Sequence, residues 1–247
     1  MRNIKLIISY KGTHFLGWQK TPYGPSIEGA LEKALEPLLH TKPRLQAASR
    51  TDAGVHAKGQ VVNFILNNPL IDLHKLHKGL NALLPQEISV LSLEEVESSF
   101  HPTIDNIGKE YRYFICHNSY QIPFYKDFSW HFPYRIDLTA MQGAAIQLEG
   151  HKNFAVFCNA RAMFTRTTTC TIERIEIDRL DQQRICITLR GDRFLYKMVR
   201  NIVGTLAYIG AAKIPLSSLE SILQGQKRMA AGITAPAHGL VLQNIFF

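Results

Sequence analysis

The sequence is poor in cysteine, and its four cysteines follow no recognised metal-binding or disulfide pattern. None belongs to a C-x-x-C pair or lies beside a histidine cluster. Zinc-binding modules and disulfide scaffolds need such spacings, so both classes are excluded. Cys170 and Cys186 fall inside runs with strand character, where a thiol serves as a small buried hydrophobic group. No metal site is predicted.

Long apolar runs are also missing. No segment approaches the roughly 20 apolar residues of a membrane span, and Lys5 interrupts the short apolar run near the start. Because no small-residue cleavage site follows that run, it predicts a strand rather than a signal peptide. A reducing cytoplasm is the expected location.

Acidic residues are also few in comparison with basic residues. Asp and Glu number 20 against 28 Lys and Arg, which gives a net charge of +8. Such a balance favours a polyanionic partner, most simply nucleic acid, although many basic proteins bind nothing anionic. Charged residues make up 19% and hydrophobic residues 46% of the 247 positions, proportions typical of a folded chain with a sizeable core.

What the sequence does contain is the order β-α-β-β-α-β in its first part. Strands are predicted at residues 4–10, 44–48, 60–66 and 88–97. Apolar residues at helical spacing predict one helix after Ser26 and another after Asp72, side chains suited to cap a helix N-terminus. Pro37 should end or distort the first helix.

The second part of the chain repeats this order. Strands are predicted at residues 109–117, 167–179, 184–190 and 240–246, and helices at 137–149 and 194–212, the first capped by Asp137. Ser217 and Glu220 have the capping-box spacing that opens a further short helix.

The repeat predicts an α+β fold. Two ferredoxin-like or RRM-like β-α-β-β-α-β halves are expected, with mainly antiparallel sheets that merge around a central cleft. The predicted division assigns residues 1–101 to the first half and residues 102–247 to the second.

One short segment between two predicted strands combines a carboxylate, a guanidinium and small residues. It reads Arg50-Thr51-Asp52-Ala53-Gly54-Val55-His56. A loop on a rigid scaffold often carries chemistry, and small neighbours let a large ligand approach Asp52 closely. The simple alternative is a turn in which Thr51 and Asp52 bond to nearby backbone.

Four further strings accompany this loop. They are Tyr10-Lys11-Gly12 with Phe15-Leu16-Gly17-Trp18-Gln19, Lys109-Glu110-Tyr111-Arg112-Tyr113, Phe194-Leu195-Tyr196-Lys197-Met198-Val199-Arg200-Asn201-Ile202-Val203-Gly204, and Ala237-His238-Gly239-Leu240-Val241-Leu242. In this order and spacing the five strings resemble the tRNA pseudouridine synthase A (TruA) family over essentially the whole chain. Lys11, Ser49 and Asn153 depart from the family's usual residues, and none of the three is expected to do chemistry.

The resemblance implies an isomerase that converts uridine to pseudouridine in the anticodon stem-loop of tRNA, at positions 38 to 40. The C1′–N1 bond breaks, the uracil turns, and a C1′–C5 bond forms. Because this isomerisation needs no redox change, no cofactor is required. The resemblance also implies a homodimer that binds tRNA.

The resemblance further assigns residues to this chemistry. Asp52 is the implied catalytic residue, which attacks the sugar, stabilises oxocarbenium character or takes a C2′ proton; sequence leaves these roles open. Arg200 is the implied cation that keeps Asp52 ionised, or else a solvated charge at a helix end. Tyr111 is implied to stack on the uracil, although an ordinary strand aromatic is the alternative. Arg50 either fills the space of the extruded base or contacts a phosphate. His56 is expected to be structural.

Two other classes of protein compete with this interpretation. A non-catalytic RNA-binding protein on the same fold would act independently of Asp52. A metal-dependent nuclease is disfavoured because Asp52 has no neighbouring carboxylate or histidine pattern. Dispersed basic residues are expected to add phosphate affinity together: Lys42, Arg44, Lys75, Lys78, Arg161, Arg166, Lys227 and Arg228.

Overall fold

The computed structural model of the protein describes residues 1–158, 167–225 and 231–247. Along the chain its strands and α-helices are β1 (Arg2–Tyr10), α1 (Ile27–Leu39), β2 (Gln46–Ala47), β3 (His56–Leu66), α2 (Leu73–Leu83), β4 (Ile88–Val96), β5 (Gly108–Cys116), β6 (Trp130–His131), α3 (Leu138–Leu148), β7 (Gly150–Asn153), β8 (Thr169–Arg179), β9 (Arg184–Gly191), α4 (Met198–Gly210), α5 (Leu219–Gly225) and β10 (Leu240–Phe246). The architecture is mixed α+β, which confirms the predicted class. No helix in these stretches is long and apolar enough to cross a membrane.

The chain divides into two compact units. Met1–Ile107 and Val241–Phe247 form the first unit, and Gly108–Leu240 forms the second. The two units are defined by contacts within each of them and not by function. The predicted functional division between residues 101 and 102 therefore stays a prediction.

The first unit is built on an antiparallel sheet. β1 lies between β3 and β4 and pairs antiparallel with both. β2 adds to β3 antiparallel, whereas β10 meets the start of β3 in parallel through Val241 and Leu242. Ile4, Leu6 and Ile8 of β1 are fully buried, as the alternation in the sequence predicts.

The second unit has its own antiparallel sheet, in which β9 lies between β5 and β8, and β7 pairs with β8. β6 adds two residues in parallel to the end of β5. Helix α4 is buried on nearly every side, including its apolar stripe with Ile202 and Leu206, and only Arg200 and Tyr208 of the helix are half-buried.

The three predicted helix caps are confirmed. The Ser26 hydroxyl accepts a hydrogen bond from the Gly29 N–H at 3.1 Å, and the carboxylates of Asp72 and Asp137 accept from the third residue beyond each. Each cap satisfies an N–H that has no partner inside the helix.

Several predicted boundaries differ from the structure. Helix α1 continues two residues past Pro37 and ends at Leu39, and His40 follows it with φ 55°. The predicted helix 194–212 begins only at Met198, because Lys197 has φ 61° and a left-handed residue cannot continue a right-handed helix. The predicted strand 44–48 is reduced to β2. Ser217 lies inside a 3-10 turn that precedes α5, so it does not cap that helix.

Strand β3 starts four residues before its predicted boundary at residue 60. Gly59 lies in this added part of the strand, where the backbone of β10 comes close. A Cβ built on Gly59 would lie 2.7 Å from the Gln243 carbonyl oxygen. Only glycine allows the backbone of β10 to approach so closely. β6 and β7 were not predicted, since each is too short for its alternation to be recognised.

Candidate active site

The segment that contains Arg50 and Asp52 connects β2 to β3 in the first unit. Thr51, Val55 and His56 are buried, Asp52 is half-buried, and Arg50 is exposed. The buried residues anchor the loop, and the two charged side chains lie toward its surface. A polar side chain so anchored is held in a defined position, which is what catalysis requires of it.

A buried glutamine fixes the start of this loop. The Gln60 amide nitrogen donates to the Ser49 carbonyl at 2.6 Å, and the Ser49 N–H donates to the Gln60 amide oxygen at 3.3 Å. Gln60 is completely buried. Because the N–H and the carbonyl of Ser49 both hydrogen-bond to the Gln60 side chain, Gln60 fixes the direction of the backbone just before Arg50.

The segment after β1 holds the middle of the loop. The Tyr10 and Thr51 hydroxyls hydrogen-bond at 2.8 Å in a buried position. The Trp18 N–H donates to the Thr51 carbonyl at 3.0 Å, and the Gly54 N–H donates to the Phe15 carbonyl at 3.2 Å. These bonds explain why the strings around Tyr10 and Trp18 accompany the Asp52 loop in the sequence.

Two glycines allow this close packing. Gly17 has φ 93°, and a Cβ there would lie 2.6 Å from the Thr51 carbonyl oxygen. A Cβ on Gly12 would overlap the Val55 carbonyl outright. Both positions therefore require glycine, because any larger residue would push the Asp52 loop away.

His56 has a structural contact, in agreement with its expected role. Its Nδ1 accepts a hydrogen bond from the Gly12 N–H at 3.0 Å, and the side chain is 2% exposed. Nδ1 must lack a proton to accept this bond. The ring thereby joins the end of the Asp52 loop to the backbone after β1.

Tyr111 lies on β5 of the second unit and is 6% exposed. Phe194 packs against it edge to face, with ring centroids 5.3 Å apart and an interplanar angle of 89°. Such a pair is a favourable aromatic geometry and fixes the plane of the tyrosine ring.

Tyr113, two residues further along β5, has a purely structural environment. It is fully buried, its hydroxyl donates to the Pro236 carbonyl at 2.8 Å, and Gly239 packs against its ring. Burial raises the pKa of the Tyr113 hydroxyl well above its usual value, with nearby Arg200 opposing this shift. The hydroxyl therefore remains protonated and keeps its hydrogen bond.

Arg200 lies in the first turn of α4 and is half-buried. Its Nε donates to the Ala235 carbonyl at 2.7 Å, and the Ala235 N–H donates back to the Arg200 carbonyl at 3.1 Å. The side chain is thus anchored at its stem, which differs from a solvated charge at a helix end.

Asn201, next to Arg200, organises the surroundings of this helix turn. It is fully buried, donates to the Phe157 carbonyl at 2.7 Å, and accepts from the Thr234 hydroxyl at 2.6 Å. The Gly232 N–H donates to the Thr205 hydroxyl at 2.9 Å. These bonds position residues 232–235, which in turn hold Arg200.

His238 belongs to the same part of the second unit. Burial lowers the pKa of its imidazole and Arg200 lowers it further, while a bond to the Ser129 backbone and the Asp127 charge oppose the shift. The folded protein therefore holds this proton less tightly than the unfolded chain does.

This pKa shift predicts a stability change with pH. Below pH 6.5, the ordinary pKa of histidine, His238 is protonated in the unfolded chain but remains neutral in the folded protein. The free energy of unfolding therefore falls as the pH falls toward the pKa of the folded state. We expect His238→Gln to make the urea midpoint fall less steeply below pH 6.5 than in wild type. His74→Gln on the exposed face of α2 is the control. Parallel pH profiles for wild type and His238→Gln would contradict the assignment.

The predicted site residues therefore fall into two groups. Arg50 and Asp52 share one loop of the first unit, and Tyr111 and Arg200 lie on β5 and α4 of the second. Sequence reasoning missed Gln60, Asn201 and the Tyr10–Thr51 bond as positioning elements. Tyr10 and Asn201 occur inside the recognised strings, but Gln60 carries no local signal.

Two of the dispersed basic residues line a hollow in the first unit. It has a volume of about 280 Å³ and is lined by Thr41, Lys42, Pro43, Arg44, Gln46, Ile65 and Asn67. Its charged lining is cationic, which suits an anionic ligand, although the Lys42 amine also lies 3.8 Å from the Glu32 carboxylate. Arg161, Arg166, Lys227 and Arg228 lie outside the described residues. Within the described ranges, no three His, Cys, Asp or Glu side chains cluster as a metal site would require.

Comparison with known proteins gives the family. A family model described as tRNA pseudouridine synthase matches residues 6–103 and 144–247. The chain is 48% identical over 248 residues to tRNA pseudouridine synthase A 2 of Protochlamydia amoebophila, covering 100% of this chain and 95% of that protein. It is 38% identical over 247 residues to tRNA pseudouridine synthase A of Acetivibrio thermocellus, covering 100% of both.

A solved Cbf5-Nop10-Gar1 complex is a much weaker match. It covers 83% of this chain and 54% of that one at 13% identity, with a TM-score of 0.36, which supports no conclusion about fold or function. The family model and the full-length relatives are sufficient without it: the chain belongs to the tRNA pseudouridine synthase family.

Proposed function

We propose that this protein isomerises uridine to pseudouridine in the anticodon stem-loop of tRNA, at positions 38 to 40. The observation that carries the proposal is the Asp52 loop, in which a half-buried carboxylate stands on a backbone anchored by Gln60, Tyr10 and Trp18. Membership of the tRNA pseudouridine synthase family supports the same activity.

The reaction balances without a cofactor. The C1′–N1 bond breaks with its electron pair on uracil, and C5 of the turned ring then bonds to C1′. The proton on C5 leaves and N1 gains one, so the product is an isomer of the substrate. Asp52 is the proposed catalytic residue, since an anion near C1′ can attack it, stabilise its positive character or take the C2′ proton.

The other site residues receive roles in binding the target nucleotide. Tyr111 is the proposed stacking platform for the uracil, a contact typically worth about 1–3 kcal/mol per base. The edge-to-face contact with Phe194 supports this role, because it holds the ring still before a base arrives. Arg50 is exposed at the loop surface, which suits either filling the space of an extruded base or contacting a phosphate.

Arg200 is the proposed partner that keeps Asp52 ionised. Its bond from Nε to the Ala235 carbonyl supports this role, since it fixes the position of the guanidinium group. A single-turnover assay of Arg200→Met tests the pairing: the rate of pseudouridine formation should fall while tRNA binding persists, and an unchanged rate would contradict the role.

Five finer features complete the proposal. Each half is taken as ferredoxin-like, which the strand order β4-β1-β3-β2 in the first unit supports, and the merging of the sheets around a central cleft remains a prediction. A homodimer and a cytoplasmic location likewise rest on the family resemblance and the sequence. The cationic hollow at Lys42 and Arg44 supports binding of a polyanion such as tRNA.

The function is tested by mapping pseudouridine after incubating the purified protein with an unmodified tRNA pool in EDTA. We expect pseudouridine at positions 38 to 40, and no product there when the same tRNA carries cytidine at these positions. Product elsewhere would contradict the proposed site. Tight binding of tRNA without any product would favour the non-catalytic RNA-binding alternative.

A further inference from the structure

Lys109 lies on the same side of β5 as Tyr111, two residues away. Alternate residues of a strand face the same way, and two strand steps place their Cα atoms about 7 Å apart. Glu110 and Arg112 face the opposite side, where they form an ion pair at 3.5 Å. Lys109 is therefore a cation beside the ring proposed to stack on the target base.

The surroundings of Lys109 leave its charge incompletely compensated. The lysine is half-buried and pairs in the sheet with Gly191, which has no side chain to contact it. Burial lowers the pKa of its amine, while the Asp192 charge partly opposes this shift. Within residues 1–158, 167–225 and 231–247, no side chain or backbone group forms a hydrogen bond or ion pair with the amine.

Asp192, the nearby anion, already has other partners. One of its carboxylate oxygens accepts from the Thr171 N–H at 2.9 Å and from the Arg193 N–H at 2.6 Å. These bonds hold the chain where β9 ends, just before Phe194. The carboxylate thus stabilises the backbone at this point and does not form a close pair with Lys109.

We infer that Lys109 is a substrate-binding residue that pairs with a backbone phosphate of the RNA next to the target uridine. The inference rests on the proposed function, because it takes RNA as the ligand. An ammonium offers three donors and no acceptor, so its ligand must be an acceptor, and phosphates are the anionic groups of RNA. Lysine is a common phosphate ligand that acts as a point charge.

The inference predicts a specific salt dependence. One phosphate contact contributes about 0.7 to the slope of log affinity against log salt for a single strand, and about 0.9 for a duplex. Lys109→Met should lower the slope by that amount and weaken tRNA binding about fivefold at 0.1 M salt. Lys109→Arg should retain the slope, because it retains the charge. A role confined to folding would change stability without changing the slope.

The experiment measures tRNA affinity for the full-length protein between 50 and 200 mM KCl, roughly the range over which counterion release is resolved. Lys152→Met is the matched control: its side chain is also half-buried, and among the described residues its amine bonds to the Gln147 and Glu149 carbonyls of its own unit. If Lys109→Met unfolds, Lys109→Gln provides the neutral variant.

An unchanged slope in a folded neutral variant would overturn the inference, as would the same slope change in Lys152→Met. A wild-type protein that binds tRNA with the expected salt dependence but forms no pseudouridine would contradict the proposed function while leaving the Lys109 contact intact. If wild type forms pseudouridine while the folded neutral variant keeps the wild-type salt slope, the Lys109 contact is contradicted and the proposed function stands.

Discussion

Replacement of Asp52 by asparagine should abolish pseudouridine formation, with a loss of about 10⁴-fold or more in the single-turnover rate. Asparagine has nearly the same size and can occupy the loop, but it can neither attack C1′ as an anion nor stabilise positive charge there. The loop itself should persist, because the Asp52 carbonyl, not its side chain, accepts the bond from the Val55 N–H at 3.2 Å. Release of tritium from C5-labelled uridine in tRNA measures the rate.

Asp52→Asn should bind tRNA within about threefold of wild type, since the single half-buried carboxylate of Asp52 contributes little to affinity for a polyanion. Retained binding distinguishes loss of chemistry from loss of substrate. Measurable turnover by folded Asp52→Asn would contradict the assignment of Asp52 as the catalytic residue.

Gly12→Ala should strongly reduce both the stability of the protein and its catalytic rate. The added methyl group would overlap the Val55 carbonyl, and the conflict is with backbone, which cannot rotate away. We expect destabilisation of about 2–3 kcal/mol. Because the displaced segment carries Asp52, the catalytic rate should fall about 10²-fold, as a misplacement of about 1 Å typically causes. Urea denaturation and single-turnover tritium release give the two values.

Gly225→Ala is the matched control for this substitution. Its Cβ would meet nothing within 4 Å, so the same chemical change should leave stability and rate near those of wild type. If Gly12→Ala retained the wild-type rate, the segment after β1 would not position the Asp52 loop, and that part of the site would be wrong.

The elements that were predictable from sequence are those set by local chemistry. Ser26, Asp72 and Asp137 were recognised as caps because their short polar side chains bond to the helix backbone within three residues. The alternation of β1 follows from its one buried face, whereas β9 was recognised from its alternating Ile and Leu residues although both of its faces are buried. The Asp52 loop by itself is compatible with an ordinary turn, and it was recognised because four other strings accompany it.

What sequence could not supply are the contacts between distant segments. Nothing around Gln60 indicates that its amide would hold Ser49, eleven residues earlier in the chain. The start of α4 was missed because the left-handed conformation of Lys197 is set by its surroundings and not by lysine itself. Lys109 likewise looks like an ordinary strand lysine until its burial and its neighbour Asp192 are known.

The most direct measurement is a crystal structure of Asp52→Asn bound to an unmodified anticodon stem-loop. If the proposed mechanism is correct, one uridine from positions 38 to 40 is turned out of the stack against Tyr111. The side chain at position 52 should lie within about 3.5 Å of C1′ of that uridine, as a reacting pair requires. A complex in which the uridine is extruded but another side chain stands closest to C1′, or in which position 52 faces away from the RNA, would contradict it.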